Sequence, residues 1–455
     1  MCKSIKTKEM KITKFVLLSF CLCLILIACK SKTSTKTSLS SDEKASIELV
    51  RNFIKSNWKN TIRTHKADSC SLIGLPLPYS VPSISGMFQE MYYWDTYFTN
   101  VGLISDGNVE QARNNCDNML FLVNKYGFMP NGNRIWYLER SQPPYLSMMI
   151  RDVYEKTKDK NWLKKILPTL EKEYNFWMTQ RITPIGLNRF YNSSPDSINE
   201  GTYFGIKKRL GENYDTTIVR TQAEQIALGS HITSELESGW DMNPRFDSRC
   251  NDFCPLDLNA NLYQYETNFE YFYEQINSDA SKQWKPIAEK RKELINKYLF
   301  NPNDGLFYDY DYVNQQFSSV YSAAVFNALW ANILTDKQAK TVVENLSKLE
   351  FKFGIAACEP GERKYAYQWD YPNGWACIQF LAVKGLDNYD YEADASRIAH
   401  KYVTLVSSNY KKTNNLWEKY NIIDGNINGH NEYEMPTMMG WTAGTFVFMT
   451  DYLLN

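Results

Sequence analysis

Val109–Tyr126, VEQARNNCDNMLFLVNKY, carries apolar side chains at Val109, Ala112, Cys116, Met119, Leu120 and Val123. Steps of three and four residues line one face of a helix and leave the other polar, the pattern of a helix laid against a core. The same spacing recurs to either side. It predicts helices over Ala45–Ile62, Pro143–Lys156, Trp162–Trp177, Thr221–Leu236, Leu258–Ile276 and Trp284–Tyr298. It continues over Ser322–Leu334, Asp336–Leu346, Trp375–Lys384, Ala393–Ser407 and Thr442–Leu454, making twelve helices with few strand candidates. Breaks rich in Gly, Pro and Asn separate them, as at Ser83–Gly86, Gly127–Gly132, Asn301–Gly305, Pro372–Gly374 and Gly425–Gly429. No Pro/Ser-rich linker divides the chain after residue 44, so 44–455 reads as one all-α domain of paired helices. The period alone equally permits an α-solenoid, although no repeat is visible in the sequence.

The N-terminus reads differently. Lys3, Lys6, Lys8, Lys11 and Lys14 stand against Glu9, and an apolar run from Phe15 to Ala28 follows. That run falls short of the roughly 20 residues of a spanning helix, and a basic segment before a short apolar one is the pattern of a secretory signal. Its end, Leu26-Ile27-Ala28-Cys29, is similar to a bacterial lipobox, which implies cleavage before Cys29 and lipid attachment there. Residues 1–28 are therefore expected to be a signal peptide and 29–43 a lipidated cysteine on a polar tether, with the domain held at the cell envelope on the periplasmic side. Five lysines less one glutamate leave with the signal, taking a formal charge of +0 to about −4. A balance of 51 basic and 51 acidic residues argues against nucleic-acid binding, which needs a basic face. Six cysteines follow Cys29, and their spacing does not choose a disulfide pattern. The four histidines show no metal-ligand spacing, so no metal or other cofactor is expected.

Aromatic content is high, with 31 Tyr, 23 Phe and 12 Trp. Such rings fill cores, and they also stack on the C–H faces of sugars. Three Trp-Asp dipeptides, Trp94-Asp95, Trp240-Asp241 and Trp369-Asp370, set a carboxylate beside an aromatic plate. Each alone could be a helix-capping Asp beside a buried Trp; three together point to a sugar site. Arg140-Ser141-Gln142, ahead of Pro143-Pro144, offers polar donors at a helix start.

These stretches resemble the trehalase family. Phe88–Phe98 (FQEMYYWDTYF) looks like its first signature and Gln368–Ala376 (QWDYPNGWA) like its second. Phe128–Pro144, Glu237–Asp241, Pro255–Asn259, Trp417–Tyr420 and Gly440–Gly444 match further segments in family order. The resemblance covers about residues 80–455. It implies an (α/α)6 toroid, two concentric rings of six helices, and metal-free hydrolysis of the disaccharide trehalose with inversion. Inversion needs one carboxyl group to protonate the leaving oxygen and another to deprotonate water. The match implies Asp241 as the acid and Glu418 as the base, with Glu432, a substrate-binding carboxylate by the same match, able to exchange roles with Glu418. It implies sugar contacts at Phe88, Trp94, Asp95, Asn131, Arg140, Ser141, Gln142, Gly239 and Trp369. Arg209 and Glu212 match an Arg-Pro-Glu element with one extra residue between them.

Two departures stand out. The family signature opens Pro-Gly-Gly-Arg-Phe, and here Ile84-Ser85-Gly86-Met87-Phe88 puts methionine in place of a substrate-binding arginine. The family's glycine-rich loop is here Asn426–Asn431, with one glycine. A guanidinium carries five donors and a thioether none, so Met87 bears on specificity more than on hydrolysis. An exo-acting hydrolase of another α-glucoside is the alternative. A glycan-binding lipoprotein without catalysis would need the tryptophans and Arg140 but not both Asp241 and Glu418.

Overall fold

The computed structural model describes residues 39–209, 219–363, 365–429, 433–437 and 439–455, with the side chains of 207–209 left out. Cys29, Glu212 and Glu432 thus lie outside the described residues, as does the side chain of Arg209.

Twelve helices alternate between an outer and an inner position. The outer members are α1 (Ser41–Asn57), α3 (Val109–Tyr126), α5 (Lys160–Gln180), α9 (Ser281–Tyr298), α11 (Asp336–Glu344) and α13 (Glu392–Thr413). The inner members are α2 (Tyr93–Ser105), α4 (Leu146–Thr157), α8 (Leu256–Gln275), α10 (Val325–Trp330), α12 (Ala376–Asn388) and α14 (Gly440–Leu454). Each inner helix packs on the next, and α14 returns to pack on α2, so the inner ring closes on itself. The all-α (α/α)6 toroid is the architecture, and it excludes the open solenoid that periodicity alone permits.

A hairpin of α6 (Asp196–Arg209) and α7 (Gln222–Glu237) is inserted between α5 and α8. This corrects the expected set of twelve helices: among the described residues there are fourteen, twelve in the ring and two in the insertion. The segment Thr221–Leu236 belongs to the insertion, and the ring helix it displaces, α2, shows no amphipathic period. Ten of the residues of α2 are buried, including Tyr93, Trp94, Tyr97 and Phe98, so it has no polar face to mark it. Outer helices such as α3 and α13 keep a solvent face, and their apolar spacing is correspondingly plain.

Ends are set locally. Ser40 caps α1 in a reciprocal box with Glu43, so the first helix begins within the stretch expected to be tether. Gly127, at φ 85°, stops α3 in the left-handed region. Ring closure depends on two glycines: a Cβ on Gly444 would lie 1.8 Å from Phe98 O, and one on Gly102 would lie 2.7 Å from Gly444 Cα. Inside the wall, Glu173 of α5 accepts from the hydroxyls of Tyr93 and Tyr265, tying α5 to α2 and α8. Burial pushes that carboxyl up to about 7.

The cysteines Cys116, Cys250, Cys254, Cys358 and Cys377 are buried and Cys70 is exposed, all as free thiols. No described helix is long and apolar enough to cross a membrane.

Candidate active site

The loops at one end of the ring enclose a cavity of about 380 Å³. Asp241 and Glu418 both line it, with Phe88, Trp94, Asp95, Asn131, Arg140, Gln142, Gly239 and Trp369. The three Trp-Asp dipeptides converge here through their rings: Trp369 lies 5.5 Å from Trp94 and 5.0 Å from Trp240, centroid to centroid. Asp370 does not share the role of its neighbours; it accepts from Arg363 Nε at 2.7 Å.

An aromatic column backs the cavity. Arg245 caps the face of Trp240 at 4.4 Å, Trp240 stacks on Trp369, and Trp369 lies on Trp375 at 3.7 Å with 2° between the planes. Lys419 Nζ covers the far end, 4.7 Å from the Trp375 centroid. Trp441 meets Trp375 edge-on at 89°. Asp257 and Asp309 pin Arg245, so the column is held by ion pairs rather than by packing alone.

The loop carrying Asp241 is fixed from both sides. Glu237, at the end of α7 and fully buried, accepts two bonds from Arg181, at 2.8 Å each, and one each from the backbone N–H groups of Ser141 and Tyr191. Four donors saturate this carboxylate and lock the turn Ser238-Gly239-Trp240 to the strand of chain holding Arg140 and Gln142. Trp369 N donates to Met242 O at 3.1 Å, joining the same loop to the second signature.

Ser141 departs from its expected part. Its side chain is sealed from the cavity and its hydroxyl donates to Met129 O at 2.6 Å, so it shapes the loop rather than facing a sugar. Gln142 lines the cavity and accepts from Trp94 N at 3.3 Å, serving the start of α2, where no local side chain caps the helix. Arg140 binds Glu139 through Nη1 at 2.8 Å and stacks over Tyr137, and its buried Nε has no hydrogen-bond partner among the described residues.

Asp95 sits in the first turn of α2 with its carboxyl buried in the cavity. Burial, assisted by the charges of Glu418 and Asp241, pushes it up to about 7 against a hydrogen bond from its own backbone N–H. Glu418 precedes the short strand β2 (Lys419–Asn421), which pairs antiparallel with β1 (Asn373–Trp375). Tyr433 donates to Glu418 Oε1 at 2.6 Å and Lys419 to Oε2 at 2.7 Å. Phe88, at φ 60°, is a strained non-glycine residue whose ring stands edge-on to Tyr92 and Tyr433.

Tyr92, Tyr137, Leu236, Gln368, Trp375, Tyr433 and Trp441 also line the cavity and fall outside the set predicted from sequence. All lie inside or beside the motif segments quoted above, which is the signal that could have found them. Met87 lines the mouth and is 45% exposed, so the methionine that replaces the family arginine does belong to the site. Among the described residues no cluster of His, Cys, Asp and Glu could hold a metal ion.

Comparison with known proteins agrees with this geometry. The family model described as Trehalase matches residues 25–453. A periplasmic trehalase of Xanthomonas axonopodis pv. citri is 31% identical over 418 residues, 88% of this chain and 72% of that one. A periplasmic trehalase of Escherichia coli O1:K1 is 30% identical over 435 residues, 89% of this chain and 74% of that one. The neutral trehalase of Saccharomyces cerevisiae superposes with a TM-score of 0.71 at 28% identity, covering 88% of this chain and 80% of that one. A mannosylglycerate hydrolase of Thermus thermophilus, at 16% identity and a TM-score of 0.62, shares the fold, with 88% of this chain and 100% of that one covered.

Proposed function

We propose, from the premise that the chain belongs to the trehalase family, that it hydrolyses trehalose to two glucose molecules with inversion. One observation carries the reading: Asp241 and Glu418 reach the same cavity, whose 380 Å³ suits a disaccharide. Asp241 gives a proton to the bridging oxygen as the bond to the anomeric carbon breaks. Glu418 takes a proton from the water that attacks that carbon from the opposite face. An inverting pair stands roughly 6.5–9.5 Å apart to leave room for this water. Both groups act where the tryptophan column and Trp441 exclude bulk solvent, which strengthens their effect on developing charge. Trp94 and Phe88 offer ring surface to the sugars, Trp369 offers its edge because Trp240 and Trp375 cover its faces, and Asp95, Asn131, Arg140 and Gln142 offer hydrogen bonds to hydroxyls. Gly239 lets the Trp94 indole pack against the backbone beside the acid, and Arg209, Glu212 and Glu432 join the binding set by their family positions. No cofactor enters this chemistry.

Asp241→Asn and Glu418→Gln should each abolish turnover while the fold survives, Glu418→Gln with a lowered melting temperature because buried Lys419 loses its anionic partner. Proton NMR of the first turnovers should show one β-glucose released for each α-glucose. Equal release of α-anomer from both halves would reject inversion, and an active Glu418→Gln beside a dead Glu432→Gln would transfer the base to Glu432.

Periplasmic relatives and the N-terminal signal together support a periplasmic enzyme, held through lipid on Cys29. Cys29→Ser should lose labelled-palmitate incorporation and move from the detergent to the aqueous phase. Unchanged partitioning would remove the anchor.

A further inference from the structure

Lys419 is the residue after Glu418, and its side chain is only 1% exposed. An ammonium group taken out of water is unfavourable unless paired, and this one has three neighbours that accept its charge. Its Nζ donates to Glu418 Oε2 at 2.7 Å and lies 4.7 Å from the Trp375 centroid and 5.4 Å from that of Tyr433. The ladder sets this placement, since Lys419 and Trp375 are direct partners across β1 and β2.

The groups facing Glu418 come from several elements. Tyr433 donates to its other oxygen, and Asp95 of α2 and Asp241 of the loop after α7 share its cavity as further carboxyl groups. Arg140 lines the same cavity with its charge engaged by Glu139. Among the described residues, Lys419 is the cation in contact with Glu418. Among the described residues Asp95 has no cation in contact, and burial drives it towards neutrality with a value of about 7. Two carboxyl groups of one cavity therefore differ in how they are held.

We propose that Lys419 is a positioning residue that holds Glu418 turned so that its remaining lone pairs meet the attacking water. This rests on Glu418 being the general base. A carboxylate oxygen has two acceptor sites, so one bond from Lys419 and one from Tyr433 leave room for that water.

The test is kcat and KM on trehalose for the wild type, Lys419→Met and Lys419→Arg, with Glu418→Gln in parallel. Lys419→Met should lose about 10- to 100-fold in kcat, because the base is no longer held in line with the water. KM should change little, and Lys419→Arg should restore most of kcat. An inactive Glu418→Gln with a wild-type kcat in Lys419→Met overturns the proposal and leaves the base assignment standing. An active Glu418→Gln removes the base assignment itself. If Lys419→Met fails to fold, Glu418→Gln/Lys419→Met decides. That double variant should regain the fold, because no unpaired buried carboxylate remains; a double variant that also fails to fold shows Lys419 to be packing and overturns the proposal.

Discussion

Gly239 leaves no space for a side chain against Trp94: a Cβ there would stand 2.8 Å from the indole Cε2, at a φ of +70°. Trp94 cannot retreat, because it is wedged against Trp369 and Trp441. Gly239→Ala should therefore push the indole or the Asp241 loop out of place. Left-handed strain and overpacking each cost about 1–3 kcal/mol. Thermal melting should show a loss of that order, with a larger proportional loss in kcat/KM. A variant with wild-type activity would mean that the loop tolerates the shift.

Glu237 makes the next prediction. Its partner Arg181 is 4% exposed, and both charges are shielded from water. Glu237→Gln leaves the guanidinium underpaired and should destabilise the protein by about 3–5 kcal/mol, measured by urea denaturation. Activity should fall in the folded fraction as well, because an amide nitrogen replaces one of the two oxygens and either Ser141 N or Tyr191 N loses its acceptor, loosening the loops beside Asp241.

Asp95 makes stability depend on pH in the reverse of the usual carboxylate sense. Its value rises from 3.8 to about 7 on folding, so between those limits the folded state binds the extra proton. Stability from this group is present below about pH 4 and is lost as the pH rises towards 7. Asp95→Asn should remove that slope, and its stability relative to the wild type should increase from pH 5 to pH 8 by an amount on the order of a few kcal/mol. Melting across that range is the measurement, and a constant offset would show that Asp95 does not titrate there.

At the mouth, Met87→Arg restores a guanidinium where the side chain is half exposed and can be solvated. If the arginine reaches a sugar hydroxyl, kcat/KM on trehalose should rise by the equivalent of about 1–3 kcal/mol. If Met87 instead serves an apolar wall for another α-glucoside, the same change should lower activity on that substrate. A panel of trehalose, kojibiose, nigerose, maltose, isomaltose and sucrose separates the outcomes. No change on any of them would leave Met87 without a part in specificity.

The outer helices are legible in sequence because each keeps one wet face. Inner helices are legible only where enough polar residues remain to make a period, and α2 has too few. The inserted helix α6 escapes a periodic reading for another reason: DSINEGTYFGIKKR holds two glycines, and its apolar residues are split between the buried Tyr203 and Ile206 and the exposed Ile198 and Phe204. The site is legible where it is written in contiguous motifs, such as Trp94-Asp95 and Glu418-Lys419-Tyr420. What spacing does not convey is which side chains turn inward. Ser141 and Gln142 are neighbours in one motif, yet one is sealed beneath the loop and the other faces the cavity. The Glu237–Arg181 pair joins residues 56 apart in sequence and is visible only in three dimensions.

The crossing of Gly102 and Gly444 gives the ring a seam, and the seam has a consequence in time. The seam joins the first inner helix in sequence, α2, to the last helix of the ring, Gly440–Leu454. Until those 15 residues arrive, the barrel is an open arc with an unpartnered apolar edge at each end. Joining ends this distant in sequence is slow, because the chain must surrender its freedom before any contact compensates for it. Trp94 and Trp441 stand on opposite sides of the join and meet only on closure. A chain cut before Gly440 therefore lacks the Trp441 wall of the cavity, and competence comes only with closure of the ring.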